Sequence, residues 1–235
     1  MSGSKDTIMA RIRAANQAAG ELAGHDVDAA YAALAREYLR AHHDAGTHDI
    51  TGLFAERAAD YRAIVERVPE AGLAAAIARV LAARSAAAPG PFVAPEGLPV
   101  GWLAELPGEI TLTRDDPPLP AAGLDRMSGV VTGCAVAIAE TGTIILDPGP
   151  GQGRRALTLV PDFHLVVVRE DQIAADLADA FARLDPARPH TLISGPSATS
   201  DIELIRVEGV HGPRNLHVLV AGPGHDDGAT VPDPS

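Results

Sequence analysis

Three segments in the last hundred residues hold side chains whose types and spacing could do chemistry. The first is Ala139-Glu140-Thr141-Gly142-Thr143. A carboxylate inside an otherwise apolar strand–turn–strand pattern is costly unless it is hydrogen-bonded or used. At a strand end, Glu140 could serve as a nucleophile, a general base or a hydrogen-bond acceptor for a ligand. The plainer reading is a turn residue whose carboxylate accepts backbone N–H groups, and the residues themselves leave both open.

The second segment is the loop Asp147–Gly153, in which Gly149, Gly151 and Gly153 precede Arg154 and Arg155. Closely spaced glycines can turn backbone N–H groups toward an anion, and the arginines would add charge-assisted donors. The spacing is G-x-G-x-G, which is neither the dinucleotide fingerprint nor the phosphate loop ending in Gly-Lys-Ser/Thr. A plain connection with solvated arginines explains it equally well.

The third segment runs from Ser194 to Glu203, followed by Gly209-Val210-His211-Gly212-Pro213. Ser200 and Glu203 have the spacing of a capping box. A loop of small and hydroxyl residues (Ser194, Gly195, Ser197) entering a helix start would make an anion site. A serine hydrolase built on Ser197, His211 and Asp201 is rejected. Gly195-Pro196-Ser197-Ala198-Thr199 fails the last glycine of the nucleophile elbow. His42, His43 and His48 stand near Asp44 and Asp49 in no metal-binding spacing, so no metal site is expected.

The elements that must position these residues differ along the chain. Asp26–Leu39, Thr51–Val68 and Glu70–Ala87 have helical periodicity, and Pro69 ends the second of these. Residues 88–120 carry eight prolines and read as a surface connection with a strand-like Ile110-Thr111-Leu112. From Gly129 the pattern alternates. Val130–Ala139, Thr143–Leu146, His164–Val168, Thr191–Ser194 and Leu216–Ala221 are predicted strands, and Gln172–Leu184 is a predicted amphipathic helix. Alternating strands and helices imply an α/β fold with a mostly parallel sheet flanked by helices, preceded by an α-helical N-terminal region.

Composition narrows the function classes. The 235 residues are 46% hydrophobic with a net charge of −12, which suits a folded chain with a core. The charge is −5 over residues 1–120 and −7 over the remainder. Nucleic acid and anionic membrane surfaces are therefore poor partners. No stretch reads as a membrane span or signal peptide, and a cytoplasmic location is expected. Cys134 is the only cysteine, so this chain cannot form an intrachain disulfide or ligate an iron–sulfur cluster by itself.

Taken together, Thr132–Leu146, Arg155–Val168 and Ile193–His217 resemble the LUD-domain family of lactate-utilisation proteins, and within it the small C-type subunit. The order AETGT, SGPS-x-T-x-DIE and GVHGP carries the likeness. The resemblance implies the fold of the ribose-5-phosphate isomerase, glucosamine-6-phosphate deaminase and CoA-transferase group. It also implies a role in oxidising L-lactate to pyruvate. In that role the chain itself carries no cofactor, and iron–sulfur clusters sit in partner subunits. It divides the chain into a helical region 1–50, a LUD domain 51–222 with its motif-bearing core at 106–222, and a disordered tail 223–235.

The resemblance establishes no catalytic residue for the small subunit. CoA-transferases of the wider fold use a glutamate before a turn glycine as acyl nucleophile, and by that analogy Glu140 is a candidate. Thr141, Gly142, Thr143, Gly151, Gly153, Arg155, Ser194, Gly195, Ser197 and His211 are candidates for holding a small carboxylate or phosphate. Glu140, Arg155, Ser197 and His211 are expected to converge on one pocket at the strand ends. Stand-alone acyl or CoA transfer, sugar-phosphate chemistry and ligand sensing on the same fold are the alternatives.

Overall fold

A computed structural model of the chain describes residues 4–21, 27–35, 49–199, 207–208 and 212–223. Two compact units divide the chain, residues 1–39 and 40–235. In the first, alanine-rich sequence forms helices α1 (Ser4–Glu21) and α2 (Val27–Ala32). The tail from 224 onward, Ser200–Glu203, His211 and the three clustered histidines lie outside the described residues.

The second unit begins with α3 (Ile50–Asp60), capped by Asp49, whose side chain accepts the Gly52 N–H at 2.8 Å. The periodicity of residues 51–68 predicts one helix, but the helix stops at Asp60, eight residues before Val68. Arg62 adopts φ +69, which no α-helix continues. The chain then becomes strand β1 (Ile64–Pro69). Ile64, Val65 and Val68 are β-branched, and pairing with another strand overrides the apparent helical stripe. The expected third helix is present as α4 (Leu73–Ala87), which buries Leu73, Ile77, Val80 and Leu81.

The proline-rich segment is more than a connection. It supplies β2 (Phe92–Ala94) and β3 (Leu112–Arg114), both in the main sheet. After α5 (Ala121–Leu124), the predicted strand 130–139 is broken into β4 (Gly129–Thr132) and β5 (Val136–Ile138). These belong to different sheets, and the chain passes between them through Gly133, Cys134 and Ala135. Strands β6 (Thr143–Leu146) and β7 (Phe163–Arg169) match expectation. The predicted helix 172–184 is instead β8 (Ile173–Ala174) followed by a shorter α6 (Leu177–Ala182), which Asp176 caps through the Asp179 N–H. The last strands are β9 (Thr191–Ile193), β10 (Ala198–Thr199), β11 (Val207–Glu208) and β12 (Asn215–Gly222). The segment after Ser194 thus enters a short strand and not a helix start at Ser197.

The main sheet has six strands in the order β1-β12-β7-β4-β2-β3, all parallel. Val166 of β7 lies between Thr132 of β4 and Val218 of β12. A parallel strand is covered on both faces, which is why His164–Val168 reads as a continuous apolar run. A second sheet, β8-β5-β6-β9, is mixed, and β10 pairs with β11.

Helix α4 covers one face of the main sheet through Phe92, Leu165, Val167 and Leu219. The other face packs against α3 and the second sheet through Phe54, Val166, Val218 and Ile144. Helix α6 covers the far side of the second sheet at Ile138, Ile145 and Ala174. With few aromatics, the core is built mainly of aliphatic side chains around Phe54, Phe92 and Phe163. The α/β expectation, a mostly parallel sheet with helices on its faces, is met.

Candidate functional site: a cleft beside Arg155

The sequence-singled residues meet in part at the amino-terminal ends of β7 and β12 and the end of β9. A cleft of 210 Å³ there is lined by Arg155, Thr158, His164, the strand β9, Ser194–Ser197, Gly212, Pro213 and Leu216. Among the described residues, its lining holds one guanidinium, four hydroxyls and an imidazole, and no acid. Such a set suits a small anion: a charge-assisted donor supported by neutral hydroxyl donors.

Local structure places each group. Arg155 opens a short turn, Arg155–Thr158, and its Nη1 donates to Thr158 Oγ1 at 3.4 Å. The Ser197 N–H donates to the Pro213 carbonyl at 2.8 Å and ties the two loops of the cleft together. Gly195 has φ +81, and a Cβ there would lie 2.6 Å from Tyr61 Cβ and 2.7 Å from the Tyr61 carbonyl oxygen. Only glycine lets this loop sit against the end of α3.

The AETGT segment acts on the cleft from behind. Buried Thr143 shares a hydrogen bond with Ser194 Oγ at 2.8 Å, and Thr141 Oγ1 lies 2.7 Å from Thr143 Oγ1. This hydroxyl chain fixes the Ser194 rotamer. Gly142, with φ +59, turns the segment so tightly against α3 that a Cβ would lie 2.4 Å from the Ala58 nitrogen.

His164 and Thr158 were not among the residues singled out from sequence. A titratable residue at the head of an otherwise apolar strand was the available signal. His164 is buried, its Nε2 lies 2.7 Å from Thr132 Oγ1, and its pKa is pushed down to about 3. Burial is the main cause, and the positive charge of Arg155 adds to it. The imidazole is therefore neutral at physiological pH and polarises the cleft without adding charge.

Of Glu140, Arg155, Ser197 and His211, which are expected to converge, Arg155 and Ser197 line this cleft and Glu140 does not. Glu140 is exposed and lines a separate, mainly apolar cleft with Asp176, Leu177, Ala178 and Phe181. The reason is register: Glu140 follows β5 on the side that α6 covers. His211 lies outside the described residues.

The glycine loop does not present amides to an anion here. The N–H of Gly149 donates to Asp147 Oδ1, that of Gly151 to the Glu96 carbonyl, and those of Gln152 and Gly153 to the Gly149 carbonyl. Gly151 also accepts from the Gly133 N–H at 2.9 Å, so it welds the loops after β2 and β4. Gly153 and Arg154 border a larger cleft of 510 Å³. There Arg154 is held by Asp115 at 2.7 and 3.0 Å and by the Leu119 carbonyl at 2.6 Å. The Arg154 guanidinium in turn holds Asp115 below the usual carboxylate range, against the opposing effect of burial. The Arg154 cleft is the larger of the two, and its lining includes two carboxylates, Glu96 and Asp115, which disfavour an anion.

The lone thiol is equally committed. Cys134 is buried, donates to Gln172 Oε1 at 3.6 Å, and is pushed up to about 12, chiefly by burial. It offers no thiolate to a metal. Among the described residues, no group of three or more His, Cys, Asp or Glu could hold a metal ion. No described helix is long and apolar enough to cross a membrane.

The LUD domain family model matches residues 124–221, which include the second mixed sheet, the described lining of the Arg155 cleft and the strands β4, β7 and most of β12 of the main sheet, while β1, β2 and β3 precede them. The chain is also 50% identical over 179 residues to lactate utilization protein C of Deinococcus radiodurans, covering 74% of this chain and 80% of that protein. The chain belongs to the LUD-domain family. It is 35% identical over 92 residues to lactate utilization protein C of Bacillus pumilus, covering 35% of this chain and 38% of that relative. The crystal structure of a DUF162 family protein from Deinococcus radiodurans superposes with a TM-score of 0.60 at 43% identity, covering 74% of this chain and 97% of that one.

Proposed function

We propose that this chain is a non-redox component of an L-lactate utilisation system, in which it holds the carboxylate of lactate or pyruvate in the Arg155 cleft. Oxidising lactate to pyruvate releases two electrons and two protons, and iron–sulfur partner subunits are the acceptors. The observation that carries the site assignment is the cleft lining, in which Arg155 stands beside four hydroxyls and, among the described residues, no acid. The likeness to lactate utilization protein C of Deinococcus radiodurans supports the process.

Each residue has a defined task in this reading. Arg155 pairs with the carboxylate, Ser194 and Ser197 donate hydroxyl hydrogen bonds, and Thr143 orients Ser194. Neutral His164 sits beneath them and adds no charge that would bind a second anion. Acyl transfer through Glu140 finds no support, because Glu140 borders a different cleft.

A genetic complementation experiment tests the proposal. Cells lacking the protein are expected to fail to grow on L-lactate, with rescue by the wild-type and E140Q chains and none by R155Q. Normal growth of the deletion strain on L-lactate would overturn the process; full rescue by R155Q would overturn the site.

A further inference from the structure

A buried imidazole lines the Arg155 cleft with one of its two nitrogens unused. His164 is 1% exposed and stands near the start of β7. Its Nε2 shares a hydrogen with Thr132 Oγ1 at 2.7 Å, and Thr132 is itself buried in β4. Nδ1 has no hydrogen-bond partner among the described residues. Among those residues, His190 Nε2 is the one side-chain polar atom both sealed from solvent and unpartnered. The free nitrogen of His164 is therefore within reach of solvent, from the cleft that its ring lines. A nearly buried polar atom without a partner is costly, so this nitrogen favours a ligand that completes it.

The Thr132 hydroxyl decides what the nitrogen offers. When Oγ1–H donates to Nε2, the proton of the ring sits on Nδ1, which then donates. When Nε2–H donates to Oγ1, Nδ1 carries no proton and accepts. Both states need a neutral ring, and burial keeps it neutral by holding the pKa at about 3. A 2-keto oxygen is an acceptor and a 2-hydroxyl is a donor, so one imidazole suits both. Arg155 stands close enough for its charge to act on the ring. The 2-oxygen of an acid is carried on the carbon next to the carboxylate, so both groups can be met together.

We propose that His164 reads the 2-oxygen of the bound acid, so that the cleft selects 2-hydroxy and 2-keto monocarboxylates over acids that lack this oxygen. The inference rests on the assignment of the Arg155 cleft to a carboxylate and adds what that cleft distinguishes. An acid with no 2-oxygen displaces cleft water and leaves Nδ1 unpaired, a loss that its carboxylate contacts do not offset.

Calorimetric titration of the full chain with L-lactate, pyruvate and propionate near neutral pH tests this, because propionate has the same carbon skeleton without the 2-oxygen. Wild type is expected to bind lactate and pyruvate at least roughly tenfold more tightly than propionate. Two variants separate the ring nitrogens: the amide of H164N falls near the Nδ1 position and that of H164Q near the Nε2 position. H164N is expected to retain the preference, and H164Q to bind all three acids within about threefold of one another. Circular dichroism verifies that the variants are folded, and the wild-type ranking stands without them. Propionate binding to wild type as tightly as lactate and pyruvate, or a preference that H164Q retains in full, would overturn the proposal while leaving the carboxylate site standing. Failure of all three acids to bind wild type would overturn the carboxylate assignment and this inference with it.

Discussion

His164 makes folding of this protein sensitive to mild acid, and the size of that effect follows from its burial. The imidazole has an ordinary value of 6.5 and is held at about 3 in the folded chain. Between those values the unfolded chain binds a proton that the folded chain does not, so stability falls as pH drops below 6.5. The loss approaches about 1.4 kcal/mol per pH unit, or about 2.5 kcal/mol between pH 7 and 4.5. Urea unfolding of wild type and H164Q at both pH values isolates the term, because every other titrating group cancels in the difference. Wild type is expected to lose about 2.5 kcal/mol more than H164Q on acidification. R155Q, which removes the nearby positive charge, is expected to reduce that loss. Parallel pH dependence in wild type and H164Q would refute the reasoning.

Other outcomes follow from the same geometry. G195A places a Cβ against Tyr61 at a φ of +81, and is expected to cost about 2–4 kcal/mol in urea unfolding and to weaken carboxylate binding. Glu66 is lowered to about 2, first by its hydrogen bond with His217 and then by Arg79, against burial. Its stabilisation is complete above its ordinary value of 4.5 and is lost as pH falls toward 2. Because Arg79 is 58% exposed, solvent screening leaves about 1–2 kcal/mol, seen as an acid-side difference between wild type and E66Q. E140Q is expected to leave carboxylate affinity within twofold of wild type, since Glu140 borders another cleft.

Much of the second half of the fold was legible from residue pattern. β6, β7 and β12 announce themselves by β-branched apolar runs, and the alternation around them gives the parallel sheet. The errors share one cause. Residues 64–68 and 172–174 carry patterns compatible with a helix, and only pairing with distant strands settles them. For β1 that partner is β12, about 150 residues away in sequence. Likewise, Val130–Ala139 looks like one strand because the division between two sheets is a tertiary fact. At the site, Arg155, Ser194 and Ser197 were readable because hydroxyls and a cation cluster in short segments. His164 was hidden in its strand. The Asp147–Gly153 loop was readable as a glycine-rich loop, either an anion cradle or a plain connection. Its N–H groups have internal acceptors, such as the Glu96 carbonyl, that sequence alone does not place.

The most direct test of the account is calorimetric titration of L-lactate and pyruvate into the wild-type chain and R155Q. Saturable binding of at least one of the two carboxylates to wild type is expected, weakened at least tenfold in R155Q while urea unfolding shows the variant folded. Absence of binding to wild type, or an affinity that R155Q leaves unchanged, would contradict the assignment of the Arg155 cleft as the carboxylate site.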